Sequence, residues 1–271
     1  MVRLDGTAAD EARLAAADDI AELFQSRIIA LFLNVLPLLA PEAEDGIGAL
    51  RVVNLVQLAR DAGDKVEIKL TQRLACLQKP VELRRFDGFL DTIADIAARE
   101  ARTADTFVTL RPNGAAQEPE HLVERVLFGS GRHLILLPHR KAAKVAFDRI
   151  LLAWNGSRES ARAMAEAMPY LRNAQTVTVV VVDDEPPVER NAVEGLSAVD
   201  HLKQHDVNAV LDHARARKGD IGATLMTEAK QRKANLIVMG GYGHSRLREW
   251  LLGGTTYELL RGAQVPLLVA H

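Results

Sequence analysis

Met239-Gly240-Gly241-Tyr242-Gly243-His244, followed by Gly253-Gly254-Thr255-Thr256, are the residues of this chain whose types and spacing best suit chemistry. Gly240, Gly243 and Gly253 give the spacing Gly-x2-Gly-x9-Gly. With glycine at ~7% of positions, three fixed glycines arise by chance about 0.1 times in a chain of this length, so the context must carry the signal. The first glycine directly follows the apolar run Leu236–Met239, and the last opens a helical stretch leading to a final apolar run. Glycines let main-chain N–H groups approach a ligand closely, and the amides at a helix start lack partners and carry partial positive charge. Together they make a cradle for phosphate oxygens. Thr255 and Thr256 add hydroxyls, and His244, Arg246 and Arg248 add positive charge. There is no Gly-Lys-Ser/Thr of a P-loop and no Gly-x-Gly-x-x-Gly after a first strand, so the expected ligand is a nucleotide held mainly by backbone.

Other chemistry-bearing groups have blander readings. His201 and His205 stand four apart and share a helix face, a possible start of a zinc site with Asp206 or His213, but a polar helix surface is the better reading. Asp183-Asp184-Glu185 end a strand and could help hold Mg²⁺ on a nucleotide; a solvated loop is favoured. Glu120 and Glu124 read as surface on a short helix. The lone Cys76 reads as a small buried hydrophobe and excludes an internal disulfide. Nucleophile–base arrangements meet in space rather than in sequence, so none is assigned.

The elements that must position these residues alternate. In the second half, apolar runs at 148–154, 175–182, 207–213, 236–239 and 265–270 read as strands, and helical stretches lie between them. Near-continuous apolar strands alternating with helices argue for a parallel sheet covered on both faces, and right-handed crossovers then favour a doubly wound open sheet. The first half repeats the order. Leu4-Asp5-Gly6-Thr7 matches Trp154-Asn155-Gly156-Ser157, Phe107–Leu110 precedes the counterpart of the glycine motif, and Leu134–Leu137 mirrors Pro266–Val269, so that His139 and His271 coincide. A helix near 47–62 followed by a strand at 66–70 is expected there. The fold expected is α/β, two repeated doubly wound, open, parallel five-stranded sheets of Rossmann-like type. Residues 1–139 and 148–271 form the domains, and residues 140–147, with Arg140, Lys141 and Lys144, form a solvated linker. The first strand, Met1–Leu4, is very short; either part of a strand is missing or the chain begins upstream.

Composition sets bounds. The 271 residues suggest two domains at roughly 150 residues each. Hydrophobic residues at 48% with 26% charged exclude a disordered chain, and 4% aromatics leave the cores to Ala, Val, Leu and Ile. A net charge of −2 argues against a general nucleic-acid binder. The opening residues do not make a signal peptide. The stretch Ile28–Pro41, broken by Asn34 and Pro37, falls short of the ~20 apolar residues of a spanning helix. The reading is a cytoplasmic protein with no membrane partner.

With these residues in view, the chain resembles a tandem universal stress protein, two UspA-type domains in one chain. The likeness is most specific over Val238–Glu249 and Leu252-Gly253-Gly254. It implies an adenine nucleotide (ATP, ADP or AMP, with Mg²⁺ where phosphates need it) in the C-terminal domain. Ala153, Trp154 and Asn155 would line the adenosine end, Val182 would offer its backbone to the adenine, Met239 and Gly240 would flank ribose and phosphates, and Gly243, His244, Gly253, Gly254, Thr255 and Thr256 would stand at the phosphates. Two departures matter: Asn155 replaces the usual acid, and Gly254 replaces a Ser/Thr. The N-terminal domain departs further, since Arg111-Pro112 stand where free amides are needed, and proline has none. It is expected to bind nucleotide weakly or not at all and to act as a packing partner through the last strands, an intrachain pseudo-dimer that could still form a homodimer. The resemblance implies a stress-response sensor or regulator. The alternatives are a slow ATP hydrolase on the same site, with His244 the best candidate base, or a structural pseudo-dimer with an empty cleft.

Overall fold

The structure is a computed structural model and describes residues 1–37, 46–77, 79–112, 120–139, 145–183, 189–216, 220–241 and 255–271. In chain order these form β1 (Val2–Leu4), α1 (Asp10–Phe24), β2 (Ile28–Leu36), α2 (Gly46–Leu74), β3 (Val81–Phe89), α3 (Leu90–Ala101), β4 (Phe107–Leu110), α4 (Glu120–Ser130) and β5 (Leu134–Leu137). The second half continues with β6 (Arg149–Trp154), α5 (Arg158–Asn173), β7 (Thr176–Asp183), α6 (Glu189–Gln204), β8 (Ala209–Arg215), α7 (Ile221–Gln231), β9 (Leu236–Gly240), α8 (Thr255–Gly262) and β10 (Leu267–Ala270).

The expected two five-stranded sheets are one continuous sheet, ordered β3-β2-β1-β4-β5-β10-β9-β6-β7-β8. Each half is parallel throughout, and the halves join where β5 and β10 run antiparallel, with Ile135 opposite Leu268. Leu110 pairs with Leu137 in the first half and Gly240 with Ala270 in the second. These registers make Leu134 the counterpart of Leu267, not of Pro266, so the expected coincidence of His139 with His271 is off by one residue. Register also makes Arg111 the counterpart of Gly241, and places a pseudo-twofold axis at the Ile135–Leu268 pair.

Strands buried on both faces need two covering layers. One holds α1, the end of α2, α5 and α6, through Leu14, Ile20, Leu70, Leu74, Met164, Leu171, Val199 and Leu202. The other holds α3, α4, α7 and α8, through Ile93, Ala97, Leu122, Val126, Leu225, Ala229, Leu259 and Ala263.

The expected strand at 66–70 is the last third of α2 instead. Val66, Leu70 and Leu74 stand four apart and pack on the core, a helical stripe that the alternation with Lys65, Glu67 and Lys69 disguises. The strand itself is β3, at the sheet edge. Its Arg85 pairs with Asp64 and Glu67 of α2 and with Asp87, and its Arg84 pairs with Glu82 and Glu100. Charge on an edge strand opposes pairing with other chains, and it hides the strand from a search for apolar runs. Cys76, expected inside, is exposed just past α2.

A buried chain of hydrogen bonds joins the halves. Tyr170 of α5, 1% exposed, lies edge-on to Phe24, Phe147 and His133. Burial holds its phenol protonated, raising its pKa above the ordinary value. The Tyr170 hydroxyl is 2.9 Å from Thr106 Oγ1, which is 2.9 Å from His133 Nε2. His133 Nδ1 donates to Glu166 of α5 at 2.9 Å, since an ionised carboxylate can only accept. At the end of the expected linker, Val145 N–H donates to Asp19 and Phe147 is buried; Arg140, Lys141 and Lys144 lie outside the described residues.

Candidate functional site

β6 continues through α5 to β7 on one side of the sheet, whereas β9 lies on its other side. The chain thus reverses direction between β6 and β9, and in an open α/β sheet the crevice outside the carboxyl ends of such strands is where ligands bind.

At the end of β6, Gly156 takes φ +70, and Asn155 Oδ1 accepts the Ser157 N–H at 3.2 Å. Ser157 then caps α5, its Oγ accepting from Ser160 N–H at 3.1 Å. This turn aims the start of α5 across the end of β9. A Cβ on Gly240 would lie 2.5 Å from the carbonyl carbon of Glu159 and 2.7 Å from the Ser160 nitrogen, so only glycine allows that approach. The Glu159 side chain is buried there, and the hydrogen bond from Arg158 at 2.6 Å lowers its pKa below the ordinary value.

Val182 sits at the end of β7, paired with Ala214, while β6 stops pairing at Trp154↔Val181. Val177 N–H and the Asp183 carbonyl bond toward β8. Strand alternation therefore turns the main-chain groups of Val182 the other way, toward the turn at Asn155. Ala153, Val182 and Met239 share the layer that contains α8. Trp154 does not join them, as its side chain packs into the layer of α5 and α6. Thr255 and Thr256 open α8 and are half-buried. Gly243, His244, Gly253 and Gly254, with Arg246 and Arg248, lie outside the described residues.

Asp183 is not in a solvated loop as expected. It is 5% exposed, ends β7, and its carboxylate lies 3.3 Å from His213 Nδ1; Asp184 and Glu185 lie outside the described residues. His201 of α6 and His205, just past its end, lie edge to face, with His205 Nδ1 accepting from Arg172 at 3.1 Å. Among the described residues, no three His, Cys, Asp or Glu side chains are grouped to hold a metal ion.

The N-terminal counterpart is built differently. Gly6 has φ +79, and Asp5 accepts from Thr7, the same turn as at Asn155. Here, though, Arg13, fully buried, pairs with Asp5 at 2.9 Å and Asp10 at 2.6 Å, and the Gly6 N–H donates to Asp10. Val66 of α2 lies over Gly6, 2.5 Å from where a Cβ would stand.

Sequence reasoning also missed the pair that flanks Gly241. The Gly241 N–H donates to Ala270 O at 2.8 Å, and its carbonyl accepts from His271 Nδ1 at 2.9 Å. Arg111 N–H donates likewise to Leu137 O, and the Arg111 carbonyl accepts from His139 Nε2. Two histidines one register step apart thus do the same work through different ring nitrogens. The only hint in the sequence was a histidine at the end of each half.

Comparison with known proteins fits this geometry. Residues 146–271 match the universal stress protein family. They form a universal stress protein domain. A curated universal stress protein of Methanocaldococcus jannaschii is 25% identical over 138 residues, covering 45% of this chain and 81% of its own length. The crystal structure of a universal stress protein from Archaeoglobus fulgidus superposes with a TM-score of 0.75 at 14% identity, covering 100% of this chain and 95% of that one. A structure described as a putative universal stress protein from Pseudomonas aeruginosa superposes with a TM-score of 0.60 at 15% identity, over 99% of this chain and 91% of its own. Both structures share the fold over both halves, whereas the family match falls on the half that carries the crevice.

Proposed function

We propose that the universal stress protein domain binds an adenine nucleotide in the crevice between the carboxyl ends of β6 and β9, and that the protein acts as a nucleotide-responsive regulator in a stress response. The observation that carries this reading is the approach of Gly240 to the start of α5 at the point where strand order reverses. With no side chain at Gly240, the backbone of the first turn of α5 comes up against the end of β9. Val182 supports it by turning its main-chain groups toward the same place, where they suit the edge of an adenine. Asn155, held in its turn by Ser157, is placed for a ribose hydroxyl. Thr255 and Thr256 open α8, with Gly253 and Gly254 just before them in the chain, for the phosphates, and Mg²⁺ would accompany a triphosphate.

The N-terminal half is proposed as a second, degenerate unit of the same kind, over residues 1–139. Arg13, Asp5 and Asp10 fill the place that corresponds to the crevice with their own charges, and Val66 covers the turn. That half therefore serves as a packing partner, and the chain as its own pseudo-dimer. No helix among the described residues is long and apolar enough to cross a membrane. A cytoplasmic setting is part of the proposal.

The test is mass spectrometry of whatever small molecule co-purifies with the full chain, followed by thermal shift with ATP, ADP and AMP. Recovery of an adenylate, or a rise in melting temperature that saturates with one of them, supports the reading. No shift at millimolar nucleotide sinks it, because ligand that binds only the folded state must raise stability.

A further inference from the structure

Arg111 follows β4 and is the counterpart of Gly241, yet its side chain leaves its own half. It is 5% exposed, and its Nη1 donates to the carbonyls of Leu259 (3.2 Å) and Leu260 (2.9 Å), in the last turn of α8. The Leu259 carbonyl also accepts the Ala263 N–H at 3.0 Å, and both carbonyls lie at the end of the helix where the dipole presents partial negative charge. A guanidinium there makes charge-assisted bonds and complements the dipole. At eight residues α8 is too short to be stable alone, so tertiary anchors set its position. At the pseudo-twofold position stands Gly241, which has no side chain to donate and lies against Leu127 of α4, whose Cδ2 would be 3.1 Å from an added Cβ. The reach of Arg111 onto the helix that begins with Thr255 and Thr256 therefore has no equivalent at residue 241.

We infer that Arg111 is a positioning residue by which the N-terminal half regulates the nucleotide site of the universal stress protein domain. By fixing the carboxyl end of α8, it fixes where the amides and hydroxyls of Thr255 and Thr256 stand at the other end. This inference builds on the nucleotide reading above and assigns the outer phosphates to α8.

The experiment uses the full chain with Arg111→Met, which keeps most of the buried volume, and Arg111→Lys, which keeps the charge and one donor. Thr106→Val, at the joint between the halves but away from α8, is the control. ATP and AMP affinities are measured beside amide exchange of α8. The expected result for Arg111→Met is ATP binding weakened by at least about five-fold, the lower end of ordinary coupling between sites, with AMP affected far less. Exchange in α8 quickens, Arg111→Lys falls between Met and wild type, and Thr106→Val leaves the ATP-to-AMP ratio unchanged. Equal loss of ATP and AMP binding, or the same ratio change in Thr106→Val, overturns the inference. Unaltered α8 exchange in both Arg111 variants overturns it whether or not nucleotide binds. A wild-type chain that binds neither nucleotide overturns the nucleotide reading instead. If Arg111→Met does not fold, the Lys variant carries the same comparisons.

Discussion

A side-chain carbon at Gly240 would stand 2.5 Å from the carbonyl carbon of Glu159, closer than any unstrained contact. Both sides of the contact are backbone, so neither can swing aside: β9 is held between β10 and β6, and α5 is fixed by its Ser157 cap. Gly240→Ala should therefore destabilise the chain by about 2 kcal/mol or more, in the range of overpacked cores. Gly241→Ala meets a movable side chain, Val269 at 2.8 Å, and should cost less. Chemical denaturation of both variants checks the order; equal losses would mean that α5 can retreat from the strand end.

The joint between the halves makes a second prediction. Tyr170→Phe keeps the edge-on contacts with Phe24, Phe147 and His133 but removes the hydroxyl beside Thr106. The loss of one buried hydrogen bond should cost about 1 kcal/mol. Tyr170→Ala also opens a cavity where the ring is 1% exposed, at a cost of about 3–5 kcal/mol. Denaturation midpoints of the two variants separate the hydroxyl from the ring.

What could be read in advance follows from how each element is buried. β6, β7, β9 and β10 lie inside the sheet, so their Ile, Leu and Val runs mark them, and Gly240 is visible as the glycine at the end of such a run. β3 lies at an edge, where Arg84 and Arg85 do the work of protecting it, and nothing apolar announces it. The neighbouring Val66–Leu70 alternation looked like a strand because a two-residue period and a four-residue stripe coincide over so short a stretch. At the site, Val182 was singled out through the family resemblance, as the valine at the end of a strand. Arg111 stood out as an arginine where a free amide was expected, but its amide bonds to Leu137 just as that of Gly241 bonds to Ala270. The reach of its side chain to Leu260, 149 residues away, was not visible, because that contact exists only once β5 and β10 pair across the pseudo-twofold axis.

Acid should loosen the joint at Glu166. The hydrogen bond from His133 is the chief cause that holds its carboxyl below the ordinary value, helped by the charge of Arg162, while burial opposes. Because the folded value lies below the unfolded one, the stability it contributes is complete above about pH 4.5 and is lost as the pH falls toward the folded value. Glu166→Gln should be less stable than wild type at neutral pH and should lose less on acidification, so the two curves converge. Urea midpoints measured down the acid limb check this; parallel curves would mean that Glu166 contributes nothing that depends on its charge.

The cluster at the N-terminal turn tests the claim that this half has exchanged its crevice for internal ion pairs. Arg13 is fully buried between Asp5 and Asp10, and it depresses the Asp5 carboxyl to about 2, while burial and the charge of Asp5 push Asp10 upward. Arg13→Met leaves two carboxylates facing each other with little water, a loss of about 3–5 kcal/mol as for any buried pair stripped of one partner. If the charge conflict is the cause, the variant should recover part of its stability as the pH falls and one carboxyl takes a proton, while wild type loses stability as Asp5 is protonated through the range between its unfolded value and about 2. The contrast is expected below the unfolded value of an aspartate, where Asp10, raised, is already protonated and wild type falls through Asp5 while the variant does not. A loss that is the same at every pH would instead mark Arg13 as a packing residue, and the ion pairs would no longer support the proposal that this half binds nucleotide weakly or not at all.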